Sequence, residues 1–359
     1  MFAKIILSAL TLSASLAFVA CGKSTTAPLA EKTFAVSSPT IIRNGVIPAR
    51  HWWNNPALGC EGLNIRPALN WSGAPEGTKS FAVTVYDQDA PTSAGFWHWI
   101  AYNIPAGTKG ISEGPDNLPA GTVQANNDLG SKDWFGSCPT ADGRLHRYVY
   151  TVYALSTPKI DVASLPAAAA SRYATFVMLQ SAIGKATLEA TAGSDVAPAK
   201  AYAAFKVVSP TLQEGAAIPQ RHWFNTFGCT GENIRPALSW SGAPAGTKSF
   251  AVLVLDNDAP TGAGFFHWVA YNLPASATGI VEGPGNLPLG AAEGNTDLGQ
   301  PGWFGSCPTD GVQHRYTYSV YALGTDKLDL PAGATAAFSA FNILGNAIGK
   351  ASLNVTALK

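Results

Sequence analysis

The sequence of 359 residues contains an internal repeat that limits the possible folds more than any other feature. At a shift of 169 residues, 58–106 aligns with 227–275, and about three quarters of these positions are identical. The period is the length of a whole domain, because solenoid repeats span only roughly 20 to 50 residues. The sequence therefore predicts two copies of one domain, each able to fold alone.

The domain boundaries follow from the limits of the repeat. The first domain is predicted at 34–191 and the second at 205–359. The segment 192–204 between them is rich in Ala and includes Gly, Ser and Pro, a composition typical of an interdomain linker.

Each copy is predicted to be mainly β with a minor helical part. The chain has 36 Gly and 25 Pro, which interrupt helices, and its apolar, β-branched runs are short enough for central strands. The predicted strands are 80–86, 97–103 and 147–155, with counterparts at 249–255, 266–272 and 315–323. The predicted helices are 167–184 and 334–349.

The N-terminus has the pattern of an export signal. In 1–20, Lys4 precedes an apolar run that is too short for a typical membrane-spanning helix. Cys21 follows Ala20 and begins a Ser/Thr/Pro-containing tether, 21–33, and this arrangement resembles a bacterial lipoprotein processing site. We therefore expect lipidation of Cys21 and a place in the bacterial cell envelope, facing the periplasm or on the surface, with contact to the membrane only through the anchor. The alternative is ordinary cleavage nearby, which would give a secreted protein with a free thiol.

The other four cysteines form one equivalent pair in each copy, Cys60 with Cys138 and Cys229 with Cys307. In an exported chain such pairs predict two disulfides, one within each domain. A metal site is the alternative, but no C-x-x-C spacing supports it.

Carboxylates and imidazoles recur at matched positions in both copies. Asp87 and Asp89 follow the first predicted strand, and alternation along an extended chain would place both on one side. Two adjacent carboxylates repel each other unless they meet a proton or a donor, so a partner is implied. His98 lies on the next predicted strand and His146 directly precedes the one after it, and both are candidates for that partner.

The ordered motifs D-x-D-A-P, H-W with Y-N-I/L-P, and C-P followed by H-R-Y resemble the phosphatidylethanolamine-binding protein family, in its bacterial Raf-kinase-inhibitor-like branch. The resemblance covers both copies and implies two tandem domains with antiparallel sheets, a few peripheral helices and a small anion-binding pocket in each. The pocket residues that it implies in the first domain are Asp87, Asp89, Pro91, His98, Cys138, Pro139, His146 and Tyr148. In the second domain they are Asp256, Asp258, Pro260, His267, Cys307, Pro308, His314 and Tyr316.

The sequence departs from the family pattern around these positions. Gln88 and Asn257 replace the first proline of the family's D-P-D-A-P, which leaves the ligand preference of the pocket open. Arg66 and Arg235 are candidates for positive charge near the pocket, although we expect them to be solvated surface residues.

Charge and motif content favour a binding protein over an enzyme. Lys+Arg and Asp+Glu both number 23, so the chain lacks the basic excess that nucleic-acid binding requires. We expect a small phosphorylated or zwitterionic ligand, such as a phospholipid headgroup; a protein target is a further candidate partner, and no cofactor is expected. The alternatives are a hydrolase that uses Ser137 and Ser306, without a G-x-S-x-G motif, and a metal-dependent enzyme that uses the His/Asp set.

Overall fold

The computed structural model describes residues 33–115, 117–139, 144–161, 171–193 and 200–359, and these form two domains built to the same plan. The first domain contains β1 (Ala35–Ser37), β2 (Asn54–Asn55), β3 (Cys60–Glu61), β4 (Leu69–Ser72), β5 (Ser80–Asp87), β6 (Phe96–Pro105), β7 (Gly110–Ile111), β8 (Val123–Gln124), β9 (His146–Leu155), α1 (Ser171–Leu179) and β10 (Ala182–Ala192). The second contains β11 (Ala203–Ala204), β12 (Lys206–Val208), β13 (Leu238–Ser241), β14 (Ser249–Asp256), β15 (Phe265–Pro274), β16 (Gly279–Ile280), β17 (Ala292–Glu293), β18 (His314–Leu323), α2 (Ala336–Asn346) and β19 (Ala347–Ala357). Short 3-10 helices lie at Ala49–His51, Pro56–Leu58 and Gln220–His222.

Each domain has a large sheet and a small sheet. The large sheets have the strand orders β10-β9-β5-β6-β8 and β11-β19-β18-β14-β15-β17, and the small ones have β1-β4-β7 and β12-β13-β16. Strands β2 and β3 form a separate antiparallel pair. All pairings of the large and small sheets are antiparallel except that of β11 with β19. The mainly β class with two tandem domains is therefore confirmed.

The central strands are buried on both faces. One face of β5 packs on the small sheet, where the rings of Phe81 and Trp71 lie 5.4 Å apart. The other face contributes Ala82 to a second apolar cluster that also contains Met178 of α1. Burial on both sides explains the nearly continuous apolar runs in the sequence, since a strand with one solvated face would alternate.

Both helices are shorter than the sequence predicted, and two long strands were missed. Helix α1 ends at Leu179 and α2 at Asn346, and the following residues form β10 and β19; 167–170 lie outside the described residues. The apolar, Ala-rich runs suit either conformation, and tertiary pairing with β9 and β18 decides for the strand. Gly184 permits this, because a Cβ there would lie 2.7 Å from the Pro75 ring.

The two predicted disulfides are present. Cys60 bonds to Cys138 and Cys229 bonds to Cys307, with Cα atoms 5.6 Å and 5.9 Å apart. Each closes a loop of 78 residues, which in the chain-entropy account stabilises the folded state by about 4 kcal/mol.

The two domains pack against each other through buried side chains. Arg172 of α1 is fully buried, and its guanidinium contacts Asp128 of the first domain and Asp297 of the second. The Thr335 hydroxyl, which caps α2, donates to the carbonyl of Asp128 across the boundary. Residues 33–359 therefore form one compact unit in which the helix of each domain meets the other domain.

The predicted signal peptide 1–20, Cys21 and most of the tether lie outside the described residues. Within the part of the chain that the structure describes, no helix is long and apolar enough to cross a membrane.

Candidate functional site

The first aspartate of each D-x-D-A-P motif links two elements of its domain. At the end of β5, Asp87 accepts a hydrogen bond from the backbone N–H of Asp89 at 2.9 Å, which closes a tight turn. Its other oxygen, Oδ2, lies 2.7 Å from Nδ1 of His146 at the start of β9. Both side chains are almost completely buried, so the pair is shielded from water.

The second aspartate of each D-x-D-A-P motif pairs with an arginine instead of a histidine. Asp89 accepts hydrogen bonds from the backbone N–H and the guanidinium of Arg147, at 2.9 Å each to Oδ2. Asp258 and Arg315 repeat this pair in the second domain. Arg315 holds the pKa of the Asp258 carboxyl below its usual value. Since His146 and Arg147 lie on opposite faces of β9, the two carboxylates each have their own hydrogen-bond donor, and the partner implied by the sequence is two residues.

A second histidine in each domain is held by a backbone carbonyl. Nδ1 of His98 lies 3.0 Å from the Phe135 carbonyl, to which it donates, and its ring stacks on that of Phe135. Tyr148 meets the same imidazole edge-on from the buried side. Burial lowers the pKa of His98 and of its equivalent His267 despite the nearby aspartates, so both imidazoles are neutral at pH 7.

His314 in the second domain is a fixed cation. Its Nδ1 lies 2.7 Å from Asp256 Oδ2, and its Nε2 lies 3.1 Å from both oxygens of Asp310. Burial alone would lower the pKa of His314, but the hydrogen bonds and charges of Asp256 and Asp310 outweigh it and raise the pKa to about 9. Nε2 of His267 lies 3.9 Å from the same Asp256 oxygen. The site thus combines one imidazolium, one neutral imidazole and two carboxylates.

A cavity opens over this cluster in each domain, and the two cavities differ in size. The second domain's cavity has a volume of about 330 Å³, against about 80 Å³ in the first. The larger is lined by Tyr173, Phe176, Gln180, Phe224, Phe227, Asp256, Ala259, Pro260, Thr261, Phe265, His267, Leu298, Phe304, Cys307, Thr309 and His314. The smaller is lined by Trp53, Leu58, Asp87, Ala90, Pro91, Phe96, His98, Leu129, Phe135, Cys138, His146, Phe338 and Phe341.

Five of the eight residues that the resemblance implied in each domain line its cavity: the first aspartate, a proline, the cysteine and both histidines. The cavity-lining sets are Asp87, Pro91, His98, Cys138 and His146, and Asp256, Pro260, His267, Cys307 and His314. The structure does not bring the others to the cavity walls. Asp89 and Asp258 pair with arginines, Pro139 and Pro308 are buried beside the disulfides, and Tyr148 and Tyr316 lie behind the histidines.

Among the lining residues that the sequence did not predict are aromatic side chains contributed by the other domain. Tyr173 and Phe176 of α1 line the cavity of the second domain, while Phe338 and Phe341 of α2 line that of the first. The only signal in the sequence was that both helices place aromatic residues three apart at equivalent positions. That spacing fixes a common helix face but not the surface that it covers.

The prediction that Arg66 and Arg235 are solvated was wrong. Each is 1% exposed, and each guanidinium stacks on a buried indole, 5.0 Å from the ring of Trp99 and 4.8 Å from that of Trp268. Stacking on an aromatic face allows the weakly hydrated guanidinium to be buried. Neither arginine lines a cavity, so they support the fold and add no charge to the site.

The alternative enzyme constellations find no support in the described residues. Within those residues there is no group of three or more His, Cys, Asp or Glu side chains arranged to hold a metal ion. Ser137 and Ser306 are buried and do not line either cavity, and in the described part of the chain neither hydroxyl hydrogen-bonds a histidine.

Comparison with known proteins covers both copies. The sequence model of the phosphatidylethanolamine-binding protein family matches residues 37–193 and 208–358. The UPF0098 protein YbhB of Escherichia coli is 41% identical over 152 residues, which are 41% of this chain and 96% of YbhB. LppC of Mycobacterium tuberculosis, which carries a lipoprotein designation, is 35% identical over 171 residues, 46% of this chain and 78% of LppC. The crystal structure of E. coli YbcL, described as a member of the mammalian PEBP family, has 37% identity and a TM-score of 0.42, and the match covers 43% of this chain and 98% of YbcL.

Proposed function

The chain belongs to the phosphatidylethanolamine-binding protein family, as a tandem duplicate, and on this premise we propose that it is an exported, lipid-anchored binding protein with one small-ligand pocket in each domain. The ligand is a small phosphorylated or zwitterionic molecule of the phospholipid-headgroup type. No catalytic step is assigned to the site.

The observation that carries this proposal is the environment of His314. Hydrogen bonds from both of its nitrogens to carboxylates keep it positively charged at pH 7 on the floor of a mainly apolar cavity. Both of its N–H groups donate to Asp256 and Asp310, so the imidazolium attracts a phosphate group through its positive charge, which water screens little inside a cavity. Asp256 and Asp310 oppose a bare anion but attract an ammonium group, so the floor suits a zwitterion better than either charge alone.

The position of the protein in the cell rests on the N-terminus. The lipidation of Cys21 and the signal peptide are supported by the similarity to LppC, a protein designated a lipoprotein, over 171 residues. An envelope protein does not meet cytoplasmic kinases of its own cell, so the Raf-kinase-inhibitor resemblance is one of fold and pocket, and a protein target would have to lie outside the cytoplasm. Replacement of Cys21 by Ala tests the anchor: we expect the protein to move from the membrane fraction to the soluble fraction, and retention at the membrane would contradict it.

The ligand class is tested by isothermal titration calorimetry on the purified chain with phosphorylethanolamine, inorganic phosphate and ethanolamine. We expect phosphorylethanolamine to bind at least about tenfold more tightly than either half, because only the zwitterion satisfies both signs of charge on the floor. Equal affinity for phosphate and phosphorylethanolamine would show that the site recognises only the anionic group. No binding of any of the three would overturn the proposed function.

A further inference from the structure

The cavity of the second domain is a joint product of both domains. Tyr173 and Phe176 of α1 form part of its wall, and the Tyr173 ring lies 6.5 Å from that of Phe227 across the domain boundary. Phe227 in turn lies 5.8 Å from Phe224, which lies 5.2 Å from Phe304. A continuous row of aromatic rings therefore runs from the helix of the first domain to the carbonyl that holds His267.

The cavity has more room than a headgroup needs. Its volume of about 330 Å³ falls within the range of roughly 300 to 1,000 Å³ that is typical of pockets for whole organic ligands. The ionisable groups Asp256, His267 and His314 lie together in the lining, and the rest of the wall is mainly apolar. Such a division suits a molecule with an ionic group at one end and an apolar group at the other.

The equivalent space in the first domain is smaller, with room for a headgroup but not for an apolar extension. Trp53 stands where the second domain has Phe224, and its larger ring packs edge-on against Phe135 at 4.4 Å. Phe338 and Phe341 of α2 complete the closure, and a cavity of only about 80 Å³ remains. The duplicated pockets have thus diverged in volume while their polar floors have kept the same residue types.

From this asymmetry we propose that α1 of the first domain completes the pocket of the second domain, and that Tyr173 and Phe176 determine which apolar group of a phosphorylated or zwitterionic ligand this pocket accepts. The inference rests on the proposed function and extends it, since it concerns the part of the ligand beyond the headgroup. It also gives the duplication a role: the second pocket is incomplete without the first domain's helix.

The test is an NMR titration of the purified chain in which the side-chain resonances of His314 and His146 report on the two pockets separately. The probes are inorganic phosphate, phenyl phosphate and hexyl phosphate. At the His314 pocket we expect phenyl or hexyl phosphate to bind about 10- to 100-fold more tightly than phosphate, the gain that burial of one such apolar group provides. A larger gain for phenyl would identify a ring, and a larger gain for hexyl would identify an acyl-like chain.

Variants assign the gain to the first domain's helix. Tyr173→Ala and Phe176→Ala, both at half-buried positions, are each expected to remove most of the gain for the apolar esters and to leave the affinity for phosphate within about twofold. Phe338→Ala, at the equivalent position of α2, is the matched control and should not change binding at His314. If one variant does not fold, the other still tests the inference. An unchanged melting temperature verifies that each variant is folded.

The outcomes separate this inference from the proposed function. If phosphate shifts His314 and the apolar esters bind no more tightly, the inference is overturned and the proposed function stands. A gain that survives both Tyr173→Ala and Phe176→Ala would also overturn the assigned role of the first domain. If no probe shifts His314, both fail.

Discussion

Arg172 of the first domain and Asp297 of the second lie 3.7 Å apart, Nε to Oδ2, and neither side chain is exposed. The same guanidinium is closer to Asp128, with Nη1 2.9 Å from Oδ2. Asp128 and Asp297 are equivalent residues of the two copies, but the position equivalent to Arg172 is Ala337. One arginine therefore serves both aspartates, and we expect the domain interface to depend on it.

Replacement of Arg172 by Met is predicted to lower the free energy of unfolding by about 3–5 kcal/mol, the cost of removing one partner from a buried ion pair. Arg147→Met is the matched control, because Arg147 also pairs with an aspartate but its side chain is 59% exposed. That pair should contribute less than about 1 kcal/mol. Urea unfolding of both variants at pH 7 measures the difference, and similar losses would show that Arg172 does not hold the interface.

A serine in place of Ala336 is predicted to stabilise the second domain. In the first domain the Ser171 hydroxyl donates to Asp128 Oδ1, whereas Ala336 occupies the equivalent position and Asp297 Oδ1 has no hydrogen-bond partner among the described residues. Burial raises the pKa of Asp297 to about 7, above its ordinary value of 3.8. Stability from this group is therefore present below about pH 3.8 and is lost as the pH rises to about 7.

The added hydroxyl of Ala336→Ser should hydrogen-bond the ionised carboxylate and raise the free energy of unfolding by about 1 kcal/mol. The gain should be larger at about pH 8, where Asp297 is charged, than at about pH 5. Unfolding curves at the two pH values test this, and a gain that does not depend on pH would count against the assignment to Asp297.

Ligand binding by the second domain is predicted to persist to higher pH than an ordinary histidine would allow. Because the pKa of His314 is raised to about 9, its charge is kept through neutral pH and is lost as the pH rises through about 9. Phosphocholine is the suitable probe, since its ammonium does not titrate. We expect its affinity at His314 to be constant between about pH 7 and 8 and to fall at higher pH. A fall centred near pH 6.5 would mean that Asp256 and Asp310 do not hold the proton.

The sequence was sufficient to predict the duplication, the central strands, the disulfides and the family. Each of these is encoded by a local motif or by residues repeated at a fixed spacing. Pairing of Asp87 with His146 was also within reach, since two adjacent carboxylates require donors. The ends of α1 and α2 could not be predicted, because an Ala-rich apolar run is compatible with a helix or a strand until its pairing partner is known. The contribution of Tyr173 to the other domain's cavity could not be predicted either, since it depends on how the domains pack, and no periodicity in either copy encodes that.

The most direct test of the account is the binding of phosphorylethanolamine to wild type, His146→Gln, His314→Gln and the double variant, measured by calorimetry at about pH 7. Glutamine keeps a hydrogen-bonding side chain but carries no charge, and thermal unfolding verifies that each variant is folded. The account predicts that each single variant loses one of two sites and that the double variant binds at least about tenfold more weakly, because each substitution removes an imidazole from the lining of one cavity. Wild-type affinity in the double variant would contradict it.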